Sequence, residues 1–131
     1  MLIDAGSATT TDEILDSLAD LDVDPVTIDY LVITHLHLDH AGGAGHLAEI
    51  CKNATVLCHP LTAAYLTDEE KLADLVESSH AAVGSMVDAY DASGTVPAER
   101  IETVDDGDEI ALGDTVLDVL PAHGHAPHHF S

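Results

Sequence analysis

Basic side chains are scarce in this chain of 131 residues, which has 3 Lys and Arg against 25 Asp and Glu and a formal net charge of −22. So negative a chain repels nucleic acid and anionic membranes. The acids are spread along the sequence, so the protein also repels itself at low salt. We therefore predict a halophilic protein, whose saline surroundings screen the repulsion. The alternative is an ordinary acidic domain.

Long apolar runs and an amino-terminal signal are absent as well. No stretch is long enough to span a bilayer, and the start lacks a basic segment followed by an apolar one. A cytoplasmic location is therefore expected. Cys51 and Cys58 are too few for a disulfide framework, and their spacing fits no zinc ribbon, so we expect both to pack in the core. Apolar residues make up 46% of the chain, which is enough for one domain with one core.

Apolar periodicity predicts that strands and helices alternate. Strands are expected at residues 2–6, 30–34, 54–58, 101–104, 109–112 and 115–120. Helical patterns follow Thr10, cover 46–50 and run over 67–90, the last with a bend or break at Ser79. The alternation predicts an α/β layered fold with a site at the carboxyl ends of strands.

The segment after the buried run 30–34 is the most informative, because it holds four candidate metal ligands within six residues: His35, His37, Asp39 and His40. Imidazole nitrogen and carboxylate oxygen are ligands that zinc prefers. On extended backbone His35 and His37 point the same way, while Asp39 and His40 follow a turn and can face a second position. One loop can therefore supply two adjacent metals. The alternative is a polar loop that happens to be rich in histidine.

A second histidine cluster follows the last predicted strand, with members at His123, His125, His128 and His129. This density suggests a metal, but spacing alone does not decide which histidine binds it. A tag remnant is disfavoured, because Gly, Ala and Pro interrupt the run and an apolar strand precedes it.

The His-x-His-x-Asp-His motif at 35–40 resembles the signature of the metallo-β-lactamase superfamily. The segment 2–6 (Leu-Ile-Asp-Ala-Gly) is similar to that family's early strand and turn. The segment 124–129 is similar to the Gly-His-Thr-x-Gly-His pattern of glyoxalase II-like members. The resemblance covers most of the chain. It implies a partial domain over 1–131, roughly the amino-terminal half of an αββα fold with a mixed sheet and helices.

The resemblance also implies a site for two zinc ions. His35, His37 and His125 would hold the first ion, and Asp39 and His40 would hold the second. Iron is the alternative metal.

Two more residues have implied supporting roles, with Asp4 a structural carboxylate near the metal loop and His129 beside the ligands or in contact with substrate. The family also has strands before the Asp4 segment, and a bridging aspartate and a final histidine later in the chain. This sequence contains none of them, so we expect a fragment truncated at both ends.

The function implied is hydrolysis of an ester, thioester or amide bond in a small-molecule substrate through a metal-bound hydroxide, which Asp39 would orient as the catalytic carboxylate. An iron-dependent sulfur dioxygenase is one alternative. A non-catalytic metal-binding chain is another, because later ligands are missing. Nucleic acid and membranes are not expected as partners, and a homodimer is left open.

Overall fold

A computed structural model of the chain describes residues 1–84 and 91–131. Its strands are β1 (Leu2–Ile3), β2 (Tyr30–Ile33), β3 (Thr55–Cys58), β4 (Ile101–Thr103), β5 (Glu109–Leu112) and β6 (Thr115–Asp118). Its helices are α1 (Thr11–Asp20), α2 (Leu38–Ala41), α3 (Ala44–Ile50), α4 (Pro60–Leu66) and α5 (Glu69–Val83), with 3-10 turns at Pro25–Thr27 and Ala98–Arg100. Within the described ranges no helix has the length and apolar character needed to cross a membrane.

The first four strands form one parallel sheet in the order β1-β2-β3-β4, and β5 and β6 form a separate antiparallel hairpin. The predicted α/β class is therefore confirmed. The mixed sheet that we expected divides, in the described residues, into these two sheets. Because the four strands run the same way, the segments that leave them meet at one end of the sheet.

The two central strands are buried on both faces, which explains their uninterrupted apolar sequences. Leu31 and Ile33 of β2 pack with Val56 of β3 in a core shared with the helices. Val32 and Leu57, which alternate with them, face the opposite side and pack against the β5–β6 hairpin. Successive side chains of a strand point to opposite faces, so the sheet supports two cores at once.

The helices differ from the sequence predictions at three places, and the first is the short helix α2, which was not predicted. The helix does not break at Ser79, because α5 continues through this residue to Val83; positions 85–90 of the predicted helix lie outside the described residues. Helix α4 was not predicted. It begins at Pro60, a favoured first residue, and His59 caps it by accepting a hydrogen bond at Nδ1 from the Leu61 amide at 3.0 Å.

Both cysteines pack in the core on the helical face of the sheet, as predicted. Cys51 and Cys58 are free thiols and fully buried. Burial raises the pKa of the Cys58 thiol to about 12, because the thiolate would lose its hydration there. Both side chains therefore act as small apolar groups.

Helix α1 carries a row of like charges on its exposed face. Asp12, Asp16 and Asp20 are exposed and follow one another at four-residue intervals. Like charges at this spacing destabilise a helix, and Asp20 also lies near the negative end of the helix dipole. Cations offer little relief: within residues 1–84 and 91–131 a single lysine–carboxylate pair occurs, between Lys71 and Asp68 at 3.3 Å.

We predict that Asp16→Lys stabilises the protein at low salt. The substitution converts two repulsive pairs, with Asp12 and Asp20, into attractive ones and should raise the free energy of unfolding by about 0.5 to 1 kcal/mol. The gain should shrink between about 0.1 M and about 1 M KCl, because salt screens exposed charges. Urea unfolding followed by circular dichroism measures both values. Asp16→Gln serves as control for helix propensity, and a Lys-over-Gln advantage that is independent of salt would contradict the prediction.

Candidate metal centre

The candidate site lies at the carboxyl end of the parallel sheet, where two loops meet. The first loop leaves β2 and carries His35 and His37 before α2 begins. The second loop spans 121–130, and backbone hydrogen bonds between Leu120 and Ser131, at 3.0 and 2.9 Å, close its base. The fold therefore brings together residues about 90 positions apart in the sequence.

Three imidazole rings converge between these loops. The Nε2 atom of His125 lies 3.1 Å from Nε2 of His35 and 3.0 Å from Nδ1 of His37, and the three nitrogens lie within 4.8 Å of one another. Two nitrogens that share a tetrahedral zinc at about 2.1 Å lie about 3.4 Å apart. The three side chains therefore fit a single divalent ion after a small outward movement.

Two rings of this triad, those of His35 and His37, have a lowered pKa, which favours the neutral form that metal ligands must have. Burial, reinforced by the imidazole of His40 and by the other rings nearby, lowers the pKa of His35 to about 4. Burial is likewise the main cause that lowers the pKa of His37, followed by the nearby His125 ring. Protons therefore compete weakly for the lone pairs that would bind an ion.

One carboxylate, that of Asp4, determines which nitrogen of His35 carries the proton. Asp4 accepts a hydrogen bond from the Thr34 amide at 2.8 Å and another from the Thr34 hydroxyl at 2.9 Å. The hydroxyl has one proton and gives it to Asp4, so toward His35 Nδ1, 3.0 Å away, it can only accept. His35 then carries its proton on Nδ1, and the lone pair of its Nε2 faces the triad.

The same carboxylate determines the tautomer of His40. Nδ1 of His40 donates to Oδ2 of Asp4 at 2.8 Å, since an ionised carboxylate only accepts. The Nε2 lone pair of His40 is left beside Oδ2 of Asp39, 3.6 Å away. A carboxylate that orients a ligand histidine in this way is common in metal sites. Asp39 and His40 thus present one oxygen and one nitrogen next to the triad.

Backbone contacts of the two residues after Asp4 hold this segment against α2 and the turn that follows it. The Ala5 amide donates to the carbonyl of His40 at 2.7 Å, and the Gly43 amide donates to that of Gly6 at 3.0 Å. A Cβ atom at Gly43 would collide with the Ala5 carbonyl oxygen, so this approach requires glycine. Asp4 has a φ of +59°, a left-handed conformation that aspartate and asparagine tolerate better than most residues.

His129 lies beside the triad. The centre of its ring is 4.7 Å from that of His35 and 5.5 Å from that of His125. Its Nδ1 atom is buried and has no hydrogen-bond partner among the described residues. By contrast, His123 of the same loop is exposed and belongs to no ligand group of the described residues.

The structure thus gathers all the residues to which the family resemblance assigned a role, and those roles remain predictions. They are Asp4, His35, His37, Asp39, His40, His125 and His129. Sequence reasoning missed Thr34, whose partner carboxylate lies 30 positions away, and the hydrogen bond between His128 and the Leu36 amide, 92 positions away. Distant partners of this kind leave no local signal in a sequence.

A groove of about 530 Å³ opens beside the triad. His37, Asp39 and His125 line one side of it, and α5 lines the other. The remaining lining residues are small or apolar, namely Leu38, Leu75, Ser78, Ser79 and Ala82. Among all these lining residues, Asp39 is the only acidic or basic side chain apart from the two histidines. This part of the groove therefore offers no lysine or arginine to a negatively charged ligand.

Comparison with known proteins gives a consistent family. The sequence model of the metallo-beta-lactamase superfamily matches residues 1–131. The chain is 33% identical over 105 residues to the metallo-beta-lactamase fold-containing protein ST1585 of Sulfurisphaera tokodaii, a match that spans 79% of this chain and 40% of that protein. The crystal structure of ST1585 superposes with a TM-score of 0.71 over 78% of this chain and 40% of its own.

Two further relatives are more distant or match a shorter stretch. MEM-A1, a subclass B3 metallo-beta-lactamase from a soil metagenome library, superposes with a TM-score of 0.72 at 22% identity, over 98% of this chain and 44% of its own. At that identity the likeness shows the fold alone. A nitric oxide reductase of Moorella thermoacetica is 51% identical over 35 residues, which are 27% of this chain and 9% of that protein. The chain spans less than half the length of these relatives.

The Asp4 contacts predict different results for two substitutions, a change of the His40 tautomer for one and a loss of stability for the other. Asp4→Asn keeps an acceptor for Thr34 and tolerates the left-handed backbone, but its amide donates where His40 needs an acceptor. The proton of His40 should therefore move from Nδ1 to Nε2. Asp4→Ala leaves Thr34 unpaired and should cost about 1 to 3 kcal/mol of stability.

Imidazole nitrogen NMR of the metal-free protein reads the tautomer, and urea unfolding reads the stability. An unchanged His40 tautomer in Asp4→Asn would show that Asp4 does not determine it.

Proposed function

Because the chain belongs to the metallo-beta-lactamase superfamily, we propose that it binds a divalent metal ion through His35, His37 and His125 and serves metal-dependent hydrolysis of an ester, thioester or amide. The observation that carries the proposal is the convergence of three imidazole nitrogens from two loops. Nitrogen ligands suit zinc, which is the metal we propose. Asp39 and His40 are the proposed ligands of a second ion.

A divalent ion bound at the triad supplies Lewis acidity, lowering the pKa of a coordinated water to near 7 and polarising a carbonyl oxygen. The protein's own part is to hold groups in place around the reacting atoms. The carboxylate of Asp39 lies at the mouth of the groove with its side chain 49% exposed, where it can accept a hydrogen bond from the attacking water. The buried ring of His35 and the half-buried ring of His129 limit access of other water to the triad from the side of the protein interior.

The groove favours a substrate whose acyl group is uncharged. Leu38, Leu75 and Ala82 offer apolar surface next to the triad, where a carboxylate would lose hydration without gaining a basic side chain as partner. The three cations of the chain are Lys52, Lys71 and Arg100, and none lines this groove. Arg100, for example, donates to the backbone carbonyls of Cys51 and Ala54. We therefore propose a neutral acyl group in the groove.

Two alternatives remain as proposals. An iron-dependent dioxygenase would use the same triad, and metal analysis of protein purified without added metal separates it from a zinc hydrolase. The other alternative is a chain that binds metal but has no activity. It is supported by the site proposed for the second ion, where Asp39 and His40 supply two ligands and no third joins them among the described residues. Turnover by this chain decides between binding and catalysis.

Removal of one triad histidine tests the metal site. We expect His125→Ala to weaken zinc affinity by more than about 100-fold, since loss of residues that merely support ligands already costs 10- to 100-fold. The matched control His123→Ala, two positions away and exposed, should bind zinc as the wild type does. Competition with a zinc-sensitive dye measures both. If hydrolysis occurs, chelation should abolish it and zinc should restore it; equal affinity of the two variants would contradict the site.

The choice of acyl group tests the proposed substrate class. We expect the 4-nitrophenyl ester of butanoic acid to be hydrolysed with a higher kcat/KM than the hemisuccinate, which has the same length and a terminal carboxylate. Ser79→Lys should narrow this preference by placing a cation in the groove. Ala81→Lys adds the same charge on the exposed side of α5 and should not. Equal rates for the two esters would refute the preference for a neutral acyl group and leave the hydrolase proposal standing. No turnover of either ester would count against the hydrolase proposal itself.

A further inference from the structure

His128 contacts the metal loop without belonging to the triad. Its Nε2 atom accepts a hydrogen bond from the backbone amide of Leu36 at 3.0 Å, a contact between residues 92 positions apart. Leu36 stands between the two triad residues of the first loop. His128 is only 9% exposed, so water cannot readily replace this bond.

A second bond ties the same two segments on the other side of His35. The amide of Phe130 donates to the carbonyl of Thr34 at 3.2 Å. Antiparallel pairing would continue from this bond to one between the Leu36 amide and the carbonyl of residue 128. Here the imidazole of His128 takes the place of that carbonyl. Residues 128–130 of the second loop are therefore bound to the first loop on both sides of His35. One bond joins two backbone groups, and the other joins a backbone amide to the His128 side chain.

The Leu36 contact also determines the tautomer of His128. A backbone amide can only donate, so Nε2 of His128 must be unprotonated and Nδ1 carries the proton in the neutral ring. Nδ1 is buried and has no partner among the described residues. Burial, followed by the nearby His59 ring, lowers the pKa of His128, in agreement with a neutral ring.

The geometry points to His128 as a positioning residue: by accepting from the Leu36 amide it holds the two loops in register and so places His125 against His35 and His37. This inference rests on the proposed metal site for its consequence, but not for the contact itself. His128 binds no metal in this account. Its substitution should therefore change metal affinity and ligand geometry through the position of the loops.

The contact is tested first in the unaltered, metal-free chain. Imidazole nitrogen NMR should show His128 protonated at Nδ1 and unprotonated at Nε2, and the Leu36 amide should exchange slowly with solvent. A proton on Nε2 of His128, or rapid exchange of the Leu36 amide, would overturn the inference. Neither result depends on whether the chain binds metal or hydrolyses anything.

Two variants test the consequence. His128→Leu has no acceptor for the Leu36 amide and should weaken zinc affinity by about 10- to 100-fold, the usual effect of losing a group that supports ligands. It should also alter the visible absorption spectrum of the Co²⁺-loaded protein, which reports ligand geometry. His128→Gln offers a carbonyl oxygen at a similar reach and should recover most of the affinity and the wild-type spectrum.

The outcomes separate this inference from the proposed function. If the wild type binds no zinc, the proposed metal site fails, while the NMR measurement still decides the contact. If the wild type binds zinc and His128→Leu binds it equally well with the same Co²⁺ spectrum, the positioning role is refuted. Failure of Gln to recover more than Leu, with both variants folded by circular dichroism, would also refute it, because packing alone would then explain the loss.

Discussion

The carboxylate of Asp4 is the group on which the arrangement of the candidate site depends. It accepts from the Thr34 amide, the Thr34 hydroxyl and Nδ1 of His40. Through the hydroxyl its influence reaches His35. A single anion thus fixes the tautomers of two histidines, and in each it leaves Nε2 unprotonated and facing the site. Such an anchor matters because hydrogen bonds to the far nitrogen fix the orientation in which a histidine ring meets a metal ion.

The fold explains why Asp4 and the histidines meet. Parallel strands end at one side of their sheet, so the segment after β1 and the segment after β2 leave as neighbours. The close approach of Gly43 to the backbone of Ala5 then holds them together. The second loop joins this arrangement by hydrogen bonds to Thr34 and Leu36. The scarcity of basic residues has a separate consequence. None of the three Lys and Arg side chains lines the groove beside the site, so no basic side chain there attracts a negatively charged acyl group.

Much of this could be predicted from the sequence, because the strongest signals are local. The two-residue spacing of His35 and His37 after a buried strand predicts that their side chains point to the same face. The pattern of apolar strands predicts the sheet. The contacts that were not predicted join residues far apart in the sequence. The roles of Thr34 and His128 arise from partners 30 and 92 positions away, which no local pattern reveals. Ser79 misled for the opposite reason: a polar residue on an apolar helical stripe suggested a break, but it faces the groove, where a polar side chain is tolerated.

X-ray diffraction at the zinc absorption edge, from crystals of this chain grown with zinc, tests the proposed site most directly. We expect an anomalous peak about 2.0 to 2.1 Å from Nε2 of His35, Nδ1 of His37 and Nε2 of His125, with Asp4 still bound to Thr34 and His40. A zinc ion found only at surface carboxylates, with the three rings turned away from one another, would contradict it.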